Sequence, residues 1–333
     1  MIRLIDSYDR VFNYLRLSVT ERCNFKCTYC LPDGYQGRKS GDRDHPIESE
    51  LSVEEIRRLV RGFTALGVTK VRLTGGEPTV RRDILSVVEA VATVPGIKTV
   101  AMTTNAHRLQ DLVLPLRRAG VTALNVSMDS LQPDRFQAIT GTGRFEQVRS
   151  GIEAAFEAGF ESIKINAVLL RGTNDDELPG FMEWVRNRPA SVRFIELMRT
   201  GKNGDYFEKR HLSAAEFQLK LATQGWRMIQ RQPTDGPAVV YCHPDYRGTI
   251  GLIAPYSKDF CVTCNRLRVS STGDLKLCLF GKGQEPLRDL LQTDAQVEAL
   301  EERIRALVFN KPVSHRLHEG IYGTTWNLAG IGG

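Results

Sequence analysis

Cys23-Asn24-Phe25-Lys26-Cys27-Thr28-Tyr29-Cys30, a C-x3-C-x2-C loop, stands just after Tyr14-Leu15-Arg16-Leu17-Ser18-Val19. The earlier stretch alternates apolar and polar residues and reads as a β-strand. Thiolates are the ligands of iron–sulfur clusters. A cuboidal [4Fe–4S] cluster normally takes four, so three close cysteines with no fourth nearby leave one iron open. An open iron can bind a small molecule, where a fully ligated one mainly passes electrons. A zinc site completed by a distant ligand, or three buried free thiols, are the competing readings. Structural zinc sites usually come as paired C-x2-C units, so the spacing favours the cluster.

The chain around this loop alternates strand and helix. Apolar, β-branched runs recur at 14–19, 68–74, 97–104, 121–127, 162–170 and 191–198, with helical patterns at 52–66, 82–93, 107–119, 144–158 and 174–187 between them. Ser52 followed by Glu55 makes a capping box, and Gly67 closes that helix. Such alternation predicts parallel strands with right-handed crossovers. Six units are fewer than the eight of a full barrel, and an open doubly wound sheet is the competing arrangement. After about residue 200 the alternation stops. A helix at 213–223 leads to short strands at 238–241, 249–253, 267–270 and 275–278, which read as a small antiparallel layer; a helix at 295–308 and an aperiodic tail, 309–333, follow. Residues 34–50 read as a polar loop, with no role assigned.

Cys261-Val262-Thr263-Cys264, with Cys278 thirteen residues further on, forms a second triplet. Cys264 and Cys278 flank a hairpin whose register could bring them together. A cluster and, with Cys242 added, a four-thiolate zinc site both fit this triplet alone. The first triplet tips the reading to a second three-cysteine cluster, with Cys242 as a small buried residue on its strand.

Several strands carry a cation in mid-run: Arg16, Arg72, Lys164 and Arg193. Helices dry the outer face of such a sheet, so a charged residue must point into the lumen or sit paired, here with Asp129, Glu77 or Glu196. Alternation puts Arg16 with Ser18, Arg72 with Thr74 and Lys164 with Asn166. Arg193 fits least, because alternation sets it opposite Met198. A lumen with several cations asks for a polyanion such as a triphosphate. Arg266 and Arg268 share one face of a strand beside the second triplet. The pair His315 and His318 lies in a polar tail and reads as solvated, and no G-x4-G-K-[ST] loop occurs.

The 333 residues carry 45 Lys and Arg against 39 Asp and Glu, a net charge of +6. That suits an anionic small substrate and is too mild for nucleic acid. No signal-peptide run and no run of eighteen uncharged apolar residues occurs, so no membrane association is expected. Seven cysteines without a secretion signal argue for a reducing compartment, the cytoplasm.

The C-x3-C-x2-C loop with its aromatic Tyr29 resembles the signature of the radical S-adenosylmethionine (SAM) enzymes. With the second triplet, Thr74-Gly75-Gly76-Glu77-Pro78, Thr103-Thr104-Asn105, Asn125-Val126-Ser127-Met128-Asp129, Lys164-Ile165-Asn166, Glu196-Leu197-Met198, Asn265-Arg266-Leu267-Arg268 and the terminal Gly332-Gly333, it resembles the GTP 3′,8-cyclase family of molybdenum cofactor biosynthesis. The resemblance implies an α/β fold, a partial (β/α)6 TIM-type barrel (residues 1–220) with a C-terminal α+β extension (221–333) carrying the second cluster. It implies two [4Fe–4S] clusters, one on Cys23, Cys27 and Cys30 and the other on Cys261, Cys264 and Cys278. SAM would be held through Tyr29, Gly76, Ser127 and Met198. GTP would be held through Arg16, Arg72, Thr103, Lys164, Arg266 and Arg268. The activity implied is a lyase reaction: the 5′-deoxyadenosyl radical takes the ribose C3′ hydrogen of GTP, C3′ joins C8, and reduction gives 3′,8-cyclo-7,8-dihydro-GTP. An electron donor and a downstream enzyme taking the product are implied partners, and an exposed strand on the open side of the barrel offers a route to a homodimer. The Gly332-Gly333 tail would enter the active site. A peptide-modifying radical SAM maturase is the alternative enzyme; a two-cluster electron carrier and a zinc-containing nucleic-acid-binding module are the other classes weighed.

Overall fold

Six parallel strands form where the apolar runs predict them. The computed structural model describes residues 3–37, 50–232, 235–281, 283–323, 325 and 328–331. In chain order it contains β1 (Tyr14–Ser18), α1 (Val53–Ala65), β2 (Lys70–Thr74), α2 (Ile84–Ala92), β3 (Thr99–Thr104), α3 (Leu109–Ala119), β4 (Ala123–Ser127), α4 (Pro133–Thr140), α5 (Phe145–Glu157), β5 (Ser162–Leu169), α6 (Leu178–Arg186), β6 (Ser191–Glu196), α7 (Gly204–Arg210) and α8 (Ala214–Thr223). The rest is β7 (Arg227–Met228), β8 (Val239–Cys242), β9 (Thr249–Ile253), β10 (Arg266–Val269), β11 (Asp274–Lys276), β12 (Glu285–Pro286) and α9 (Val297–Phe309). Most of the expected 34–50 loop, and Gly332-Gly333, lie outside the described residues.

One sheet runs β12-β11-β10-β1-β2-β3-β4-β5-β6-β9-β8-β7. β1 to β6 are parallel neighbours, as the βαβ alternation requires. The partial barrel is therefore present, but the expected antiparallel layer is not one layer. β9 joins β6 in parallel, and β10 joins β1 in parallel. The antiparallel pairs β8–β9, β7–β8, β10–β11 and β11–β12 extend outward from these two strands. A hairpin pattern in sequence fixes a strand's near partner; its far edge is free to pair with whatever the barrel offers. Both edges of the six-stranded sheet are thus covered, and the edge-strand route to a homodimer is closed there.

Each wall strand has a dry side and a polar side. In β5, Ile163, Ile165, Ala167 and Leu169 are buried, and Ser162, Lys164, Asn166 and Val168 between them are half-buried. The dry side packs with α1–α3, α5, α6, α8 and α9 in one continuous core. Helix α1 starts on the expected box: Ser52 Oγ accepts from Glu55 N at 3.2 Å, and a Glu55 carboxylate oxygen accepts from Ser52 N at 2.8 Å. Such a cap is worth about 1 kcal/mol. Glu55 also takes Arg288 Nε at 2.8 Å, which ties α1 to the C-terminal region. Arg10, itself buried, donates to the carbonyls of Cys261 (3.2 Å), Val313 (2.6 Å) and Pro312 (2.7 Å), so the N-terminal arm straps down the second cysteine loop.

Candidate active site

The first triplet occupies the loop leaving the C-terminal end of β1. Helix α4 shapes that loop, since Lys26 N donates to Thr140 O and Thr28 N to Ile139 O, both at 2.9 Å. A tight turn, Cys30 N to Cys27 O at 3.0 Å, brings two thiols to one side. Phe25 anchors the loop edge-on against Phe136, ring centroids 6.2 Å apart. Cys23, Cys27, Cys30, Tyr29, Gly76, Thr103, Ser127, Asp129 and Met198 line a single pocket. Burial holds all three thiols protonated: Cys23 is pushed up to about 11 and Cys30 to about 12, and Cys27 also rises. A metal cluster takes such ligands as thiolates and releases their protons.

Gly75 and Gly76 fold back over the same loop. A Cβ on Gly75, whose φ is +147°, would lie 2.2 Å from Thr20 O; one on Gly76 would lie 2.3 Å from Arg22 O. Only glycine allows this approach. The donor set, three soft thiols and no fourth cysteine in the pocket lining, fits a cluster with one open iron, and the glycine cradle leaves backbone beside it for a ligand.

The carboxylates weighed as partners for lumen cations are engaged elsewhere. Glu77 accepts from Thr79 N, Thr79 Oγ1, Thr104 Oγ1 and Asn105 N at 2.6–3.1 Å. Asp129 accepts from Tyr29 Oη at 2.9 Å and Val168 N at 2.8 Å, and burial pushes it up to about 6. Glu196 is 2.8 Å from His211 Nε2.

The second triplet lines a second pocket with Arg16, Arg72, Arg193, Arg266, Arg268, Lys311, Phe260 and His315. Cys264 N donates to Cys261 O at 3.1 Å, turning the C-x2-C loop back on itself. Burial alone would raise the Cys264 thiol, but Arg266 and Lys311 outweigh it and bring it down to about 7. Arg266 lies 5.4 Å over the Phe260 ring. Three thiols, one already poised to ionise, suit a second cluster equally. Cys242, expected buried, is exposed on β8 and lines neither pocket.

Register explains why the cations converge. Arg266 and Arg268 stand beside Tyr14 and Arg16, which stand beside Lys70 and Arg72; Asn166 stands beside Arg193. All face the lumen. Arg193 belongs there because β6 ends at Glu196, so alternation never reaches Met198. Lys164 faces the same interior next to Ser191 and lines neither pocket; burial, then Arg193, Lys70 and Arg72, bring it down to about 7. Burial first, then neighbouring cations, lower Arg16, Arg193 and Arg268 too. Among the described residues, the buried Nε atoms of Arg72, Arg193 and Arg268, Thr103 Oγ1, Asn166 Oδ1 and His315 Nε2 have no hydrogen-bond partner. Buried polar groups are normally satisfied, so this interior is built for a polar, anionic ligand. Asn166, Ile195 and Met198 line both pockets, which puts the two cysteine sites on one lumen.

Sequence reasoning missed Tyr14, Lys70, Lys311 and His315. His315, expected solvated, is 7% exposed and packed between Phe260 and Phe280. Lys70 shared the signal of Arg72, two residues along one strand; His315 offered only its ligand-like spacing to His318, set aside as solvated, and Lys311 gave no signal.

Comparison with known proteins agrees with this geometry. Residues 17–185 match the Radical SAM superfamily and 190–317 match Molybdenum Cofactor Synthesis C. The chain is 52% identical to a GTP 3′,8-cyclase of Pectobacterium atrosepticum, over 99% of both chains. It is 53% identical to one of Aeromonas hydrophila, over 100% of this chain and 97% of that one. Among solved structures, Streptococcus suis SuiB bound to S-adenosylmethionine superposes with a TM-score of 0.64 at 13% identity, covering 91% of this chain and 69% of that one. The structure described as native anSMEcpe with bound AdoMet and Cp18Cys peptide gives 0.54 at 14%, covering 89% and 83%. These two share the fold alone, and the cyclase relatives outweigh the maturase alternative. The cysteine pair of sites, the cationic lumen and the near full-length identity agree: the chain belongs to the GTP 3′,8-cyclase family of molybdenum cofactor biosynthesis, radical SAM enzymes that use SAM and two [4Fe–4S] clusters.

Proposed function

We propose that GTP lies in the lumen between the two cysteine sites, its anionic part among Arg16, Arg72, Thr103, Lys164, Arg266 and Arg268. SAM lies against the first site, touching Tyr29, Gly76, Ser127 and Met198. Cys23, Cys27 and Cys30 hold one cluster and Cys261, Cys264 and Cys278 the other. The observation that supports this most is the shared wall: Asn166, Ile195 and Met198 border both sites, with unpaired guanidinium nitrogens beside them.

Bound SAM and its cluster supply a hydrogen-abstracting radical. The protein's own task is to bind, orient and shield. Crowded cations repel one another, so the empty lumen is electrostatically costly and an anion relieves it. Arginine keeps its charge under this crowding, which suits it to clamp a phosphate chain or a carbonyl-rich base through paired N–H donors. Holding the ribose within reach of the first site replaces a bimolecular encounter by a fixed geometry. Phe25 and Leu328 help close the first pocket, and a dry pocket keeps a reactive species from water.

The chain divides into a barrel, 1–220, and a cluster- and substrate-binding region, 221–333. It works in the cytoplasm with an electron donor and a downstream enzyme. A homodimer, where it forms, uses a surface other than the edges of the core sheet. Among the described residues no helix is long and apolar enough to cross a membrane.

The test is anaerobic reconstitution with iron and sulfide, followed by dithionite, SAM and GTP, with products analysed by mass. 5′-Deoxyadenosine is expected together with a GTP isomer reduced across N7–C8, which has the mass of GTP and is told from it by chromatographic retention and fragmentation. No 5′-deoxyadenosine would sink the radical assignment; 5′-deoxyadenosine with GTP unchanged would sink only the substrate assignment.

A further inference from the structure

Tyr14 is the first residue of β1 and lies at the far end of the lumen from the first cysteine loop, which leaves the other end of the same strand. The residue is 2% exposed, yet its hydroxyl has no hydrogen-bond partner among the described residues. A buried tyrosine hydroxyl normally finds one. Lys70 Nζ stands 4.9 Å from the ring centroid and Arg72 Cζ 5.4 Å. These contacts gather two cations on the ring faces and leave the hydroxyl at the edge.

The groups acting on this phenol are all positive. Burial would raise its pKa, but Arg72, Arg16, Lys70 and Arg266 outweigh that and lower it. Among the described residues the hydroxyl receives no hydrogen bond from these cations, and its own proton has no acceptor. Only an incoming anionic oxygen can accept that proton and at the same time neutralise the cations around it. None of the expected nucleotide contacts includes this residue.

Resting on the reading of GTP in the lumen, we propose that the Tyr14 hydroxyl donates a hydrogen bond to the distal part of the nucleotide's triphosphate, with its ring holding Lys70 and Arg72 in place beside that phosphate. The strand direction supplies the polarity. The ribose must sit toward the C-terminal end of β1, where the first cysteine site is, so the phosphate tail points toward the strand's start. Tyr14 is then a reader of tail length.

The experiment uses the full reconstituted chain and its Tyr14→Phe variant, with anaerobic equilibrium dialysis against GTP, GDP and GMP and steady-state kinetics on GTP. Phenylalanine keeps the ring and removes only the hydroxyl. A hydrogen bond to a charged acceptor predicts about tenfold weaker GTP binding and a matching rise in KM, with a much smaller change in kcat and none in GMP binding. Tyr14→Leu, which also removes the ring, should weaken GTP binding further. Iron content and the unfolding midpoint establish that the variants are folded and loaded. GTP binding within twofold of wild type in Tyr14→Phe, or an equal loss for GTP and GMP, would overturn the inference. A wild-type chain that binds no GTP would instead overturn the reading beneath it, and this inference with it.

Discussion

The two cysteine sites use the same three-thiol donor set in opposite surroundings. The first is enclosed by apolar residues and two carboxylates, Glu77 and Asp129, and its thiols are pushed up. The second faces cations: there Cys264 is pulled down to about 7, while burial still pushes Cys261 up. Burial without compensating charge keeps a thiol protonated, and a neighbouring guanidinium reverses that. In the proposed reaction the difference suits the two sites to different tasks. The first site holds what must be kept dry, and the second stands beside the groups that draw an anion in.

The largest effects should come from removing one thiol at each site. Two loaded clusters correspond to about eight irons per chain. Cys27→Ala and Cys264→Ala should each leave about four irons, and GTP turnover should fall below detection in both. They should part on SAM cleavage. Cys27→Ala should form no 5′-deoxyadenosine; Cys264→Ala should still form it, without conversion of GTP. If Cys264→Ala also lost all SAM cleavage, the division between the dry first site and the second site beside the cations would break.

How much of this comparison was legible in the sequence follows from how local each signal is. The six core strands and the α1 cap were legible because periodicity, β-branching and the Ser52–Glu55 spacing act within a few residues. Both triplets were legible for the same reason. The partners of β9 and β10 were not, because pairing between strands far apart in the chain, Ser191 with Thr249 and Tyr14 with Arg266, is set by the edges that the barrel leaves free. Helix α4 was missed although Pro133 stands in its first turn; it is short, and its role is to brace the first loop. Arg193 was undervalued because alternation was carried past the end of β6. His315 and Lys311 lie in a segment without periodicity, and only the folded chain brings them to the second site.

A middle-sized effect should appear as protons. Lys164 stands at about 7 in the cation-crowded lumen, so at pH 8 it is largely neutral. A bound triphosphate favours its charged form. GTP binding at pH 8 should therefore take up close to one proton, and the uptake should vanish near pH 6, where the amine is already charged. Calorimetry in buffers of different ionisation enthalpy reads this directly. The sign for stability is the reverse of an ion-paired lysine. Between about pH 7 and the ordinary lysine value near 10.5, the unfolded chain binds a proton that the folded chain does not, so stability rises with pH across that window. Lys164→Met should raise the melting temperature at pH 7 by a few degrees while abolishing the proton uptake. Uptake unchanged in that variant would mean that another group carries the proton, and the cationic side of the comparison would have to be redrawn.

The smallest expected effect concerns the border between the sites. Thr103 lines the pocket of the first triplet, yet the family resemblance gives it to the nucleotide. Its hydroxyl is buried and unpartnered among the described residues, and on β3 it pairs in register with Asn125, whose neighbour on β5 is Lys164. A neutral hydroxyl contributes less than a charged contact, so Thr103→Val, which keeps the shape, should raise KM for GTP about threefold to tenfold. Half-saturation by SAM should stay within about twofold. The opposite outcome, SAM affected and GTP spared, would move Thr103 to the dry site and shift the boundary between the two ligands by one strand residue. Loss of both would mean that SAM and GTP touch across this hydroxyl, so that the first pocket and the cationic one are occupied as a single ordered stack.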